Sequence, residues 1–142
     1  MLSNSARYWI DNVVATSPVA TTLGIAIAEA EPDRVLVALP FRPRNVTVGS
    51  IVHGGVIATL IDIAGAAASG SALGDGEATG GATAQMTVAY LAPADGCDLL
   101  AEAHVIQRGK SQTVSDVFVR DHEGRLVAKG MVTSRIFRTK GG

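Results

Sequence analysis

The stretch IVHGGVIATLIDIAGAAASGSALG, residues 51–74, decides how this chain folds. It is long and apolar enough to invite a membrane reading, since about 20 apolar residues cross a bilayer as a helix. Asp62 near its middle argues against that, because a central carboxylate costs about 2.5–3.5 kcal/mol on insertion scales. Its five glycines weaken a helix in lipid, and no Lys or Arg cluster flanks it to set an orientation. The stretch therefore reads as one buried helix in a water-soluble domain, over about residues 53–69. At about 100° per residue, Val56, Ile57, Leu60, Ile63, Ala64 and Ala67 form a bulky stripe. Gly55, Ala58, Thr59, Asp62, Gly65, Ala66 and Ser69 fall opposite. A solvent face would carry Lys, Glu and Arg, so this small-residue face is expected to be covered by a second subunit or a ligand, with Asp62 in the gap.

Outward from this helix the periodicity changes. Residues 2–16 place Ala6, Trp9, Ile10, Val13 and Val14 at helical spacing, and Pro18 is expected to end that helix. Residues 22–30 alternate through Leu23, Ile25 and Ile27, and residues 34–39 alternate through Val35 and Val37, with Glu31-Pro32-Asp33 as the turn of a hairpin. Residues 70–81 contain five glycines with Ser, Asp and Thr, a loop composition. Strands are expected over 83–91, 98–107, 112–120 and 126–138, the first with Ala84, Met86, Val88 and Tyr90 on one face. Two strands, one buried helix and four strands make an antiparallel α+β domain, single over residues 1–142 and without internal repeats or a low-complexity tail beyond Gly141-Gly142. No second layer is available to cover the sheet's apolar face, so the sheet is expected to wrap around the helix.

Composition removes several function classes. With 142 residues there is room for one core and little more. Charged residues are 18% and the apolar set 47%, which excludes intrinsic disorder. A net charge of -1 lacks the basic field that grips nucleic acid. A lone Cys97 makes no disulfide framework and fits a reducing, cytoplasmic compartment. His53, His104 and His122 are scattered without metal-ligand spacing, so no metal is expected. Residues 1–18 show no uninterrupted apolar run of signal-peptide type, since Asp11 and Asn12 break it.

Asp62 and the helix start are the candidates for chemistry. A mid-helix Asp is hard to bury unless it is bonded. It is either a carboxylate held by a Ser or Thr hydroxyl of a partner, or a base or nucleophile in a water-poor crevice whose small neighbours leave room for a substrate. At His53-Gly54-Gly55, the first helical turn offers unpaired N–H groups and the positive dipole end. Those groups can hold the oxyanion of acyl transfer, or the glycines serve only a tight entry into the helix. Eight residues separate Gly54 from Asp62, about 12 Å along the axis, so one carbonyl cannot touch both in one chain. If both act on one bond, they come from two chains whose helices run antiparallel across a two-fold axis, and the chemistry then requires a homodimer.

The run VHGGVIATLIDIAGAAAS resembles the signature of hotdog-fold acyl-CoA thioesterases of the PaaI-like and 4-hydroxybenzoyl-CoA type, in which HGG is followed by Asp or Glu nine positions after the His. The likeness continues through TAQMTVAYLAP at residues 83–93, Arg108-Gly109-Lys110-Ser111 and DHEGRLVAKG at 121–130, and covers about residues 23–133. It implies hydrolysis of an acyl-CoA to free acid and CoA in a homodimer or dimer of dimers, with no cofactor beyond the coenzyme A of the substrate and no nucleic-acid or membrane partner. Asp62 then matches the acid that activates water or attacks the thioester carbon. Gly54, with or without Gly55, matches the amide that polarises the carbonyl, and Thr83 matches a hydroxyl that positions the water. Arg108, Gly109, Lys110 and Ser111 match the turn used along the pantetheine and phosphates, or form a solvated hairpin turn. Many relatives carry Asn or Gln six residues before the His; Thr47 stands there and Asn45 two residues earlier. Either Thr47 substitutes with its hydroxyl, or a bulge in 45–50 brings Asn45 into place. His53 serves the helix start or proton transfer.

A rival reading is a binding module that holds an acyl thioester or another apolar ligand in the same dimeric groove without turnover. Hydration or dehydration on the same fold is a third. Gly109-Lys110-Ser111 is no phosphate loop, because His104 occupies the place of its first glycine and no helix follows. Gly74-Asp75-Gly76 follows a helix, not a strand, the wrong setting for a dinucleotide fingerprint.

Overall fold

Helix α3 spans Gly54–Gly70 in the computed structural model, which describes residues 1–138; Gly141-Gly142 lie outside the described residues. His53 caps it, with its Nδ1 accepting the Gly55 N–H at 2.8 Å. Strands β1 (Ala26–Glu31), β2 (Arg34–Leu39), β5 (Ala78–Tyr90), β6 (Leu99–Arg108), β7 (Gln112–Arg120) and β8 (Leu126–Arg138) form one sheet in the order β1-β2-β6-β7-β8-β5. Every neighbouring pair is antiparallel. α3 packs on β2, β6, β7, β8 and β5, which is the expected antiparallel sheet around one long helix. Period-two burial supplies the inner face: Val35, Val37 and Leu39 on β2, Leu99, Ala101 and Ala103 on β6, and Val117 and Val119 on β7. No helix among the described residues is long and apolar enough to cross a membrane.

The concave sheet buries a wider arc of α3 than the bulky stripe implied. Ile61, outside that stripe, is fully buried, and a Cβ on Gly130 would come within 2.5 Å of its Cγ2. Gly65, assigned to the small-residue face expected to meet a second subunit or a ligand, is buried against Val132 of the chain's own sheet, with 2.6 Å between a built Cβ and Val132 Cβ. Ser69 is buried as well, whereas Val56 is only half-buried. Small residues on α3 thus serve close approach to the sheet as well as space around Asp62.

The N-terminal region departs most from expectation. The single helix over 2–16 is instead α1 (Asn4–Tyr8), capped by Ser3, running into a π-helical turn at Trp9–Val14. Pro18 does not simply end it: Ser17 caps a second helix, α2 (Pro18–Leu23), with Pro18 in its first turn and Gly24 closing it at φ +76°. Thr22 and Leu23 are therefore helical, and the first strand begins at Ala26. Local capping outweighed the short alternation through Leu23, Ile25 and Ile27. β5 likewise starts at Ala78, inside the glycine-rich segment read as loop, because Gly80 and Gly81 pair with Phe137 and Ile136 of β8. Along β5 only Met86 and Val88 of the assigned face pack against the core; Ala84 sits at a bulge and Tyr90 is exposed. The loop before α3 holds a 3-10 turn, Pro43–Asn45, and two short strands, β3 (Val46–Val48) and β4 (Ile51–Val52), that periodicity did not resolve.

Candidate active site

Asp62 lies on the half-buried side of α3, and Thr83 Oγ1 donates to its Oδ1 at 2.5 Å, within the range of a hydroxyl-to-carboxylate bond. Thr83 reaches it because β5 breaks register with β8 between Thr83 and Gln85, and a bulge of this kind re-aims a side chain. Both residues line a crevice of about 210 Å³ whose other walls include Trp9, Val13, Ala66 and Ser134. Part of the cover expected from a partner or ligand thus comes from the chain's own N-terminal segment. Ser134 pairs with Thr83 across β5–β8, and its buried Oγ has no hydrogen-bond partner among the described residues.

At the helix start the two glycine amides differ. The Gly55 N–H is donated to His53 Nδ1, so it is engaged within the chain and does not supply a second free donor. Among the described residues no acceptor takes the Gly54 N–H, which stands at the positive end of α3. Tyr90 Oη donates to the Gly54 carbonyl at 2.6 Å and pins this turn to the end of β5. The bond makes His53 the N-cap of α3.

The loop before the helix separates Asn45 from Thr47. The His53 N–H donates to the Asn45 carbonyl at 2.8 Å, which ties Asn45 to the helix start. Its Nδ2 is buried and has no partner among the described residues. Thr47 is exposed at the irregularity between Val46 and Val48.

The Arg108–Ser111 turn is at the other end of α3. Arg108 donates from Nη1 to the Ser69 carbonyl at 2.7 Å, from Nη2 to the Ala68 carbonyl at 3.2 Å, and from Nε and Nη2 to Asp33 Oδ1. A cation on the last carbonyls of a helix is its favoured place. The Arg108 guanidinium is thus engaged within the chain at this end of α3. Gly109 N–H and the Ser111 carbonyl close the turn onto Gln112 and Ile136. Lys110 lines a charged cleft with Asp75, Glu77 and Arg138. Cys97 is buried, and burial pushes its thiol above the usual range, away from nucleophile chemistry.

The structure therefore brings together Asp62 with Thr83, and His53 with Gly54, Gly55 and Asn45, and leaves the two groups apart within one chain. Trp9, Tyr90 and Ser134 belong to these surroundings but were not singled out from sequence. Tyr90 had a signal in the aromatic-x-x-Pro ending of its strand. Trp9 and Ser134 had none, because their places depend on tertiary packing.

A model of the thioesterase superfamily matches residues 49–128. A protein of Halobacterium salinarum that carries an esterase name is 33% identical over 96% of this chain and 95% of its own length. The PaaI protein of the Escherichia coli phenylacetic acid degradation operon superposes with a TM-score of 0.84 at 24% identity, covering 96% of each chain. A Streptococcus mutans protein solved bound to acetyl CoA is 26% identical, with a TM-score of 0.71 over 81% of this chain and 90% of that one. The antiparallel sheet around α3 agrees with these matches: the chain belongs to the thioesterase superfamily of ester and thioester hydrolases, with the hotdog fold of its PaaI-like members.

Proposed function

We propose that the chain hydrolyses acyl-CoA thioesters to free acid and CoA, as a cytoplasmic homodimer or dimer of dimers without metal or resident cofactor. The observation that carries this reading is a carboxylate bonded to a hydroxyl in a crevice, with an unpaired helix-start amide about 12 Å further along the same helix. Two antiparallel copies of α3 bring the Asp62 of one chain beside the Gly54 amide of the other. Asp62 then takes a proton from water, which attacks the thioester carbon, while the Gly54 N–H receives the charge that develops on the carbonyl oxygen. Collapse of the tetrahedral adduct expels the CoA thiolate, which recovers the proton. Direct attack by Asp62 is the alternative use of the same carboxylate. Thr83 orients Asp62, and the unpartnered Asn45 amide is a donor for water or carbonyl at the helix start. The relative bound to acetyl CoA supports coenzyme A as the carrier, with Lys110 as its counter-charge.

Incubation with a panel of aromatic and aliphatic acyl-CoAs and a thiol reagent tests the activity. Thiol release is expected; tight binding without it turns the protein into a binding module. Mixing two inactive variants tests the shared site. A heterodimer of Asp62→Asn and Gly54→Pro chains contains one site with both groups intact, so activity returns on mixing. No recovery after verified subunit exchange means that the two groups do not cooperate across chains.

A further inference from the structure

A second and larger cavity, about 580 Å³, lies between the N-terminal segment, the end of α3 and the start of β5. It shares Trp9, Val13, Ser69 and Gly81 with the Asp62 crevice, so the two spaces adjoin at the Trp9 indole. Its further walls are mainly apolar and include Tyr8, Leu73 and Ile136. The volume is in the range of roughly 300–1,000 Å³ that holds small ligands.

The roof of this cavity is fastened down. Ser3 Oγ donates to the Leu73 carbonyl at 2.5 Å, the Ser5 N–H donates to Asp75 Oδ1 at 2.8 Å, and the Gly76 N–H donates to Ser5 Oγ at 3.1 Å. Trp9 Nε1 donates to the Ala66 carbonyl at 2.9 Å, one helical turn from Asp62. The indole fits only because Gly70 lacks a side chain, since a Cβ there would stand 2.1 Å from Trp9 Cδ1. Trp9 is thus a fixed wall at the junction between the carboxylate and an apolar chamber.

Resting on the thioester-hydrolysis reading, we infer that this chamber receives the acyl group, and that it selects a bulky apolar acyl over a short one. A thioester carbon placed at Asp62 has an apolar space beside it, with Trp9 at the junction. Burying an acyl chain there contributes about 0.8 kcal/mol per CH₂. An acetyl group ends in the crevice and gains nothing from the chamber. The chain that supplies Asp62 also supplies the acyl pocket, while the partner's helix start holds the carbonyl oxygen.

Two measurements test this. Trp9 is the only tryptophan, so its emission reports occupancy without any turnover. Titration of the parent protein with octanamide and hydrocinnamamide is expected to give a saturable change, and acetamide none. Leu73 lines the chamber but not the Asp62 crevice. In Leu73→Trp the ratio of kcat/KM for octanoyl-CoA to that for acetyl-CoA should fall at least about tenfold, the scale of lost pocket contacts. Leu73→Ala should move the preference towards longer acyl chains. A flat titration overturns the inference, as does a ratio within about twofold of the parent in both variants, which is below what a pocket contact contributes. If the parent releases thiol from neither thioester, the hydrolysis reading fails, and the Trp9 titration alone decides whether the chamber takes apolar ligands.

Discussion

Thr83 Oγ1 and Asp62 Oδ1 stand 2.5 Å apart, a bond that joins a bulge in β5 to the middle of α3. The hydroxyl donates and holds the Asp62 side chain in place.

Replacing that carboxylate is the most direct check. Asp62→Asn should lower turnover by roughly 10²–10⁴-fold, the range for loss of a positioned acid or base. Thr83→Val should cost about 1.5–3 kcal/mol of barrier, a hydrogen bond to a charged group. Steady-state thiol release measures both. Thermal melts should show that neither variant has lost the fold, and near-normal turnover in Asp62→Asn removes it from the mechanism.

Gly54 is the first residue of α3, a place where proline is tolerated. His53 before it already has φ -60° and ψ 134°, the extended backbone that precedes proline. Gly54→Pro should therefore keep the helix while deleting the unpaired N–H. The expected loss is about 2.7–4 kcal/mol in transition-state stabilisation, as for removal of one oxyanion donor. Circular dichroism alongside kcat separates this from unfolding.

His53→Ala removes the acceptor of the Gly55 N–H and with it the cap of α3. A stability loss of about 1 kcal/mol is expected from denaturant titration. If His53 instead transfers the proton, the pH profile of kcat changes shape while stability does not.

Gly65→Ala and Gly130→Ala test the close approach of helix and sheet. Each new Cβ would meet a side chain on the facing element, Val132 or Ile61, at 2.6 and 2.5 Å respectively. Overpacking of this kind costs about 1–3 kcal/mol. Unchanged denaturation midpoints in both variants contradict the packing described for α3.

Glu102 predicts an acid-range effect on the outer sheet face. Its carboxylate bonds His104 at 2.9 Å and Arg34 at 2.7 Å, and the His104 hydrogen bond, then Arg34, hold its pKa below the usual glutamate range. A depressed folded-state pKa stabilises the protein above the unfolded value and loses that effect as pH falls through the folded one. The melting-temperature difference between the parent and Glu102→Gln should therefore shift against the parent as pH drops below about 4.3. The group is about one-third exposed, so the shift should be small and diminish with salt.

Much of this architecture was legible residue by residue. The apolar run with one acid near its centre marked α3, and alternation marked β2, β7 and β8 to the residue. The N-terminal segment was misread because Ser17-Pro18 opens a helix as readily as Pro18 closes one. Gly80 and Gly81 looked like loop because pairing with β8 carries no local signal.

Sequence by itself determined the central helix with its later strands, the family resemblance, and which acid and which amide are candidates for the chemistry, because spacing along a helix is set by covalent geometry. Tertiary structure alone decided that Gly55 is engaged by His53, that Arg108 caps α3, that Asn45 instead of Thr47 is tied to the helix start, and that Trp9 walls the space beside Asp62. Each of these depends on which distant backbone groups come within hydrogen-bond distance, and that is fixed only when the sheet closes around the helix.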